Sequence, residues 1–249
     1  MIPNHRNKTM DSIRKSACSL LLLLAACSST PAAPTGTPAP TGTPLTPTAT
    51  LQPVWMTVDG DLATDPSWTS EEVRLDFDIQ VVEASLVVAA PPDLYANPIN
   101  TTGPHLSLGG DFGVKFEMET ATADFAGISL YGALAQGEWW QGITRLDVGL
   151  KAGKVAVGYW DGTSPTPVAW QEYAPAGVFA NRRLELGVRR SGDTFFILFK
   201  GQEIGQLRDP GLFVSGAAYF GLNVFPQNRL VLYSLSVEAA DGAGVTVVR

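Results

Sequence analysis

RRLELGVRRSGDTFFILFKGQEIG, residues 182–205, decides the fold. Leu184, Leu186 and Val188 alternate with Arg183, Glu185, Gly187 and Arg189, so apolar and polar side chains change places at every step. That two-residue period belongs to a strand with one face in a core and the other in water; a helix repeats every three or four residues. Ser191-Gly192-Asp193 interrupts the run with a turn signal. The strand pattern resumes from Thr194 to Lys200, Lys200-Gly201 turns again, and a third strand runs from Gln202 to Leu207. Strands joined by turns this short pair antiparallel with their neighbours, so the stretch predicts a meander.

The same alternation extends in both directions. Phe112, Val114, Phe116 and Met118 alternate with Gly113, Lys115, Glu117 and Glu119. Ala126, Ile128 and Leu130 alternate with Gly127, Ser129 and Tyr131; Leu146, Val148 and Leu150 with Arg145, Asp147 and Gly149; Val155, Val157 and Tyr159 with Gly158 and Trp160. Turn signals at 150–153 and at Asp161-Gly162 separate them. Residues 79–89, 217–223 and 229–238 supply further strands, the last two as a pair closing the sheets, and no segment shows a helical period. A dozen or so antiparallel strands at short spacing predict an all-β sandwich of jelly-roll type over residues 54–249. Hydrophobic residues make up 45% of the chain and charged ones 16%, enough apolar material for one large core.

Upstream the composition changes. Residues 28–53, SSTPAAPTGTPAPTGTPLTPTATLQP, carry no charge and repeat proline every few positions. Such a segment favours extended polyproline II, and at about 3.1 Å per residue it reaches up to ~80 Å. Before it come Arg14 and Lys15, an apolar run over 17–26, and Leu24-Ala25-Ala26-Cys27. The run is shorter than the roughly 20 residues a membrane span needs, but it suits a signal h-region. The order resembles a bacterial lipoprotein export signal. That resemblance implies that residues 1–26 are removed, that Cys27 carries lipid, and that 27–53 is a disordered linker holding the domain outside the cytoplasm, at the cell surface or in the periplasm. An ordinary cleaved signal without lipid is the alternative, since Ala25 and Ala26 fit that too.

Charge and cysteine content narrow the function classes. The full chain carries −7. Residues 1–26 hold Arg6, Lys8, Arg14 and Lys15 against Asp11, so the remainder is more negative still. Nucleic acid, which needs a basic surface, is excluded, and membrane contact is left to the lipid on Cys27. Cys18 lies in the signal and Cys27 at its end, so the domain has neither a disulfide nor a thiol nucleophile. His105 alone makes His-based zinc sites and Ser-His-Asp machinery poor expectations.

The meander, Gly110-Asp111-Phe112-Gly113-Val114-Lys115-Phe116, AAYFGLNV (217–224) and RLVLYSLSVEA (229–239) resemble the concanavalin A-like lectin/glucanase superfamily. More narrowly, ANPINTTGPHLSLGGDFGV (96–114) and GEWWQGITRLDVG (137–149) resemble the non-catalytic sandwich that precedes the barrel in some bacterial family 10 xylanases. The resemblance covers about residues 75–239 and includes no barrel. It implies a carbohydrate-binding module accessory to xylan degradation, with a polysaccharide or oligosaccharide as partner.

Candidate site residues come from the polar faces of the strands. Lys115, Glu117, Ser129, Tyr131, Arg145, Asp147, Trp160, Arg183 and Glu185 are expected to share one sheet face, with Gly113, Gly127, Gly149, Gly158 and Gly187 leaving a hollow among them. Aromatic planes serve the apolar side of a sugar ring, and charged or amide groups serve its hydroxyls. The bland alternative is a solvated sheet with cross-strand ion pairs. Trp139 and Trp140, between Gly137 and Gly142, are expected in a loop where both can meet a ligand. Trp170 and Tyr173 are expected at a core or sheet edge. Glu117 and Glu119 lie two apart on one strand face, about 7 Å between positions, within the range of glycosidase carboxylates. The Glu-x-Asp-x-(x)-Glu pattern of family 16 glucanases lacks its third acid here, where Ala121 or Thr122 stands. No catalytic residue and no metal ligand is therefore assigned. Asp59-Gly60-Asp61 with Asp65 does not match a calcium loop, and a structural calcium ion is the one cofactor left open. Three functions follow in order: a lipid-anchored lectin-like module, a glycosidase using Glu117 with a second acid, and a spacer or protein-interaction module.

Overall fold

A computed structural model describes residues 53–69, 78–90, 103–121, 124–133, 142, 144–178, 182–209 and 216–249. The signal, Cys27, the linker up to residue 52, Trp139 and Trp140 lie outside the described residues. In chain order the strands are β1 (Trp55–Asp59), β2 (Asp78–Val82), β3 (Ser85–Ala89), β4 (His105–Leu108), β5 (Phe112–Thr120), β6 (Ala126–Ala133), β7 (Thr144–Lys151), β8 (Lys154–Trp160), β9 (Ala169–Tyr173), β10 (Leu184–Ser191), β11 (Thr194–Phe199), β12 (Gln202–Arg208), β13 (Gly216–Val224), β14 (Arg229–Ala240) and β15 (Thr246–Val248). A single 3-10 turn, Pro66–Thr69, is the only helical element among the described residues.

Two antiparallel sheets form a jelly-roll sandwich, as the alternation predicts. The eight-stranded sheet runs β12-β11-β10-β5-β14-β3-β2, with β1 also on β14; the seven-stranded sheet runs β15-β4-β13-β6-β7-β8-β9. β10, β11 and β12 are the predicted meander. Lys151–Lys154 is closed by Ala152 and Gly153, both at positive φ (50° and 73°), which is the backbone twist a two-residue hairpin requires. The core lies between the sheets. Phe112, Val114, Phe116 and Met118 of β5 and Leu184, Leu186 and Val188 of β10 meet Ile128, Leu146, Val148, Val157 and Leu222 from the other sheet.

One inward contact shows how closely the sheets approach. A Cβ on Gly205 of β12 would fall 2.1 Å from the Tyr173 ring of β9, so glycine at 205 makes room for that ring. At the other end Trp68 is fully buried, and its Nε1 donates to the Leu62 carbonyl at 2.7 Å.

Two expectations need correction. Residues 79–89 are not one strand but the hairpin β2–β3, turned at Glu83 in the left-handed region (φ 56°). Nor do 217–223 and 229–238 pair with each other: β13 sits between β4 and β6, and β14 in the opposite sheet against β5, β3 and β1.

Candidate binding face

The register sets three rows of side chains across the outer face of the seven-stranded sheet. The first reads Val248, His105, Tyr219, Tyr131, Arg145, Trp160. The second reads Gly221, Ser129, Asp147, Gly158, Trp170, and the third Asn223, Gly127, Gly149, Ala156, Glu172. Tyr131, Arg145, Asp147 and Trp160 are thus brought together, as the sequence predicts.

Asp147 is the centre of this face and is fully buried. Ser129 Oγ donates to its Oδ1 at 2.5 Å, Asn223 Nδ2 donates to its Oδ2 at 2.7 Å, and Arg145 Nε lies 3.2 Å from Oδ2. Asn223 reaches Asp147 across Gly127, which contributes no side chain to the row between them. Burial pushes the Asp147 carboxyl above the ordinary carboxylate range, while Arg145, Ser129 and Asn223 pull it down. Burial likewise pushes up the Tyr131 phenol.

Arg145 leans from this carboxylate onto an aromatic neighbour. Its guanidinium carbon lies 4.0 Å from the Trp160 ring centre. Trp160 in turn meets Trp170 edge-on, ring centres 6.3 Å apart. Both indoles close over Gly158, where a Cβ would lie 2.5 Å from Trp160 and 2.8 Å from Trp170. Gly158 is therefore a slot filled by two indoles rather than an open hollow. Gly127 and Gly149 mark a close backbone approach: a Cβ on Gly127 would fall 2.3 Å from the Val148 carbonyl oxygen. Among the described residues two buried donors on this face, Trp160 Nε1 and Arg145 Nε, make no hydrogen bond; Arg145 Nε meets Asp147 as an ion pair off the hydrogen-bond line. Buried unpaired donors are rare in folded proteins, so each of these calls for an explanation.

The nine residues expected on one face lie on two. Lys115, Glu117, Arg183 and Glu185 belong to β5, β10 and the residue before β10, on the outer side of the eight-stranded sheet. Alternation says whether a side chain points in or out, but not which sheet its strand joins. There the residues form the ion-pair network of the bland alternative. Arg183 pairs with Glu117 and lies 4.6 Å from the Tyr233 ring centre, and Tyr233 OH donates to Glu119 at 3.0 Å. Lys115 pairs with Glu238. Glu185 stands opposite Glu117 in register, but Glu117 is engaged by Arg183 and Glu119 by Tyr233.

Trp170 and Tyr173 occupy the edge strand β9, Trp170 outward over Gly158 and Tyr173 inward over Gly205. Asp59 and Asp65 converge on the guanidinium of Arg249, with Arg249 Nε 3.0 Å from Asp65 Oδ2, so their carboxylates are already neutralised by a cation of the chain itself. No group of three metal-ligating side chains occurs among the described residues. Asn223, Tyr219 and Trp170 were not singled out from sequence as parts of one site. The signal for Asn223 is its amide at an outward position of an otherwise apolar strand.

No protein-family model matches the chain, and no curated protein matches its sequence. Solved structures do resemble it. The carbohydrate-binding module CBM66 from Bacillus subtilis is 15% identical with a TM-score of 0.40, over 74% of this chain and 95% of that one. The kappa-carrageenase from Pseudoalteromonas carrageenovora, complexed with an oligotetrasaccharide of kappa-carrageenan, is 10% identical with a TM-score of 0.48, over 80% and 100%. The endo-β-1,3-glucanase from Pyrococcus furiosus is 12% identical with a TM-score of 0.49, over 69% and 79%. The sandwich assignment itself stands on this chain's own strand pairing.

Proposed function

We propose that the chain is a lectin-like carbohydrate-binding module, tethered through lipid on Cys27 outside the cytoplasm and accessory to polysaccharide breakdown, with xylan the first polymer to test. The observation that carries this is the outer face of the seven-stranded sheet. There Trp160 Nε1 is a buried donor without a hydrogen-bond partner among the described residues, Arg145 is held against Asp147, and the buried ring of Tyr131 and the half-buried ring of Trp170 stand beside them. Sugar recognition needs this mixture of ring surfaces and fixed polar groups. Asp147 acts as an anchor: it holds Arg145, Ser129 and Asn223 in place so that the face is set before a ligand arrives.

The test is retention of the full chain on insoluble xylan, cellulose and β-glucan, beside Trp160→Phe, which keeps a ring but removes the indole N–H. Retention on one polymer, weakened in the variant, is the expected result; no retention on any of the three ends the proposal. The tether has its own check. A labelled fatty acid should enter the native chain and not Cys27→Ser, and equal labelling of both would rule out lipid on Cys27.

A further inference from the structure

The eight-stranded sheet, on the opposite side of the sandwich, holds a separate cavity of about 290 Å³. Trp55, Phe196 and Leu198 supply its apolar surface, and Arg189, Ser191 and Glu203 its polar walls. The pairing explains why they meet. Phe196 stands opposite Arg189, and Leu198 opposite Gly187, whose missing side chain leaves space beside Leu198. Trp55 comes from β1 on the far side of β14 and lies with its ring centre 4.3 Å beneath the Arg189 guanidinium. Phe196, half-buried, has no ring partner among the described residues.

The polar walls select for charge. Arg189 Nη2 lies 3.4 Å from Glu238 Oε2, and Lys115 pairs with the same carboxylate, so two cations share one anion. Glu203 on the other wall restores neutrality, its Oε1 accepting from Gln206 Nε2 at 2.7 Å. Arg189 Nε is buried without a hydrogen-bond partner among the described residues. Ser191 Oγ donates its proton to Asp111 at 2.8 Å and so faces other groups as an acceptor. An anionic ligand gains no net attraction in such a site, and an apolar one strips water from both charged walls without replacing its hydrogen bonds.

We infer that this cavity is a second ligand site, for a single neutral polyhydroxylated ring. The ring would lay its C–H side on Phe196 and turn its hydroxyls to Arg189, Ser191 and Glu203. Ligand pockets generally run from about 300 Å³ upward, so this one admits one sugar-sized ring, a chain end or side branch, rather than a continuous strand of polymer. The choice of sugars as probes rests on the lectin-like proposal, but the site is a different one.

The experiment is a titration of the full chain with xylose, glucose, galactose and glucuronate, followed on the assigned indole N–H signals of Trp55 and Trp160. A neutral monosaccharide should move the Trp55 signal with millimolar affinity. Phe196→Ala and Glu203→Gln should each weaken that binding about tenfold, a difference of about 1.4 kcal/mol, while Trp160→Phe leaves it unchanged. Glu203→Gln hardly alters packing, so it stands in if Phe196→Ala fails to fold. No Trp55 response to any neutral sugar, tighter binding of glucuronate, or a response abolished by Trp160→Phe alone would overturn the inference. Polymer retention through the seven-stranded face would survive any of those results, so the two proposals fail separately.

Discussion

At the scale of single residues, Asp147 carries the most weight. Its carboxylate is the only countercharge within reach of the buried Arg145 in the contacts described, and it fixes Ser129 and Asn223 as well. Removing one partner of a buried ion pair leaves an uncompensated charge, so Asp147→Ala should destabilise the fold by about 3–5 kcal/mol. Urea unfolding of the two proteins checks this, and a loss under about 1 kcal/mol, the usual worth of an exposed pair, would show that Arg145 reaches water. The chemistry of this cluster was partly legible in the sequence. Ser129, Tyr131, Arg145, Asp147 and Trp160 all fall at outward positions of alternating strands. Asn223 was not legible, because its contact with Asp147 depends on β13 lying beside β6, a pairing between segments far apart in the chain. Local alternation carries no information about such neighbours.

At the scale of elements, the long strands announced themselves and the short ones did not. β5, β7, β8 and β10 each alternate over seven residues or more. β4 and β15 have four and three residues, too few to display a period, and β1 begins directly after the proline-rich segment. The contact of β9 with β12 makes a sharp prediction. Gly205→Ala drives a Cβ into the Tyr173 ring and should cost about 1–3 kcal/mol by overpacking. Adding Tyr173→Ala should return part of that loss, since the two changes share one contact; strict additivity in a double-mutant cycle would place the cost elsewhere.

The C-terminal end is pinned by charge. Burial raises the Asp65 carboxyl, but the Ser67 hydroxyl and backbone N–H together with Arg249 outweigh it and hold it below its ordinary 3.8. An acid depressed by folding contributes stability that is complete above its unfolded value and is lost as the pH falls through its folded value. Native stability should therefore fall below about pH 4, and Asp65→Asn should flatten that part of the curve. Identical acid slopes in the two proteins would show that Asp65 is not responsible.

At the scale of the molecule, the two outer faces are chemically different. The eight-stranded sheet presents exposed ion pairs such as Arg183–Glu117, and the seven-stranded sheet presents a buried charge cluster edged by indoles. The composition and period of the sequence made the sandwich legible. They could not distribute the strands between its two sheets, which is why nine candidates expected on one face divide between two. The central claim is that carbohydrate is held on the seven-stranded face. Its most direct measurement is a set of depletion isotherms on the polymer that retains the native chain, for Trp160→Phe and, on the opposite sheet, Arg183→Ala. Binding weakened about tenfold or more by Trp160→Phe and unchanged by Arg183→Ala is the predicted result. Binding indifferent to Trp160, or lost only with Arg183, would contradict it.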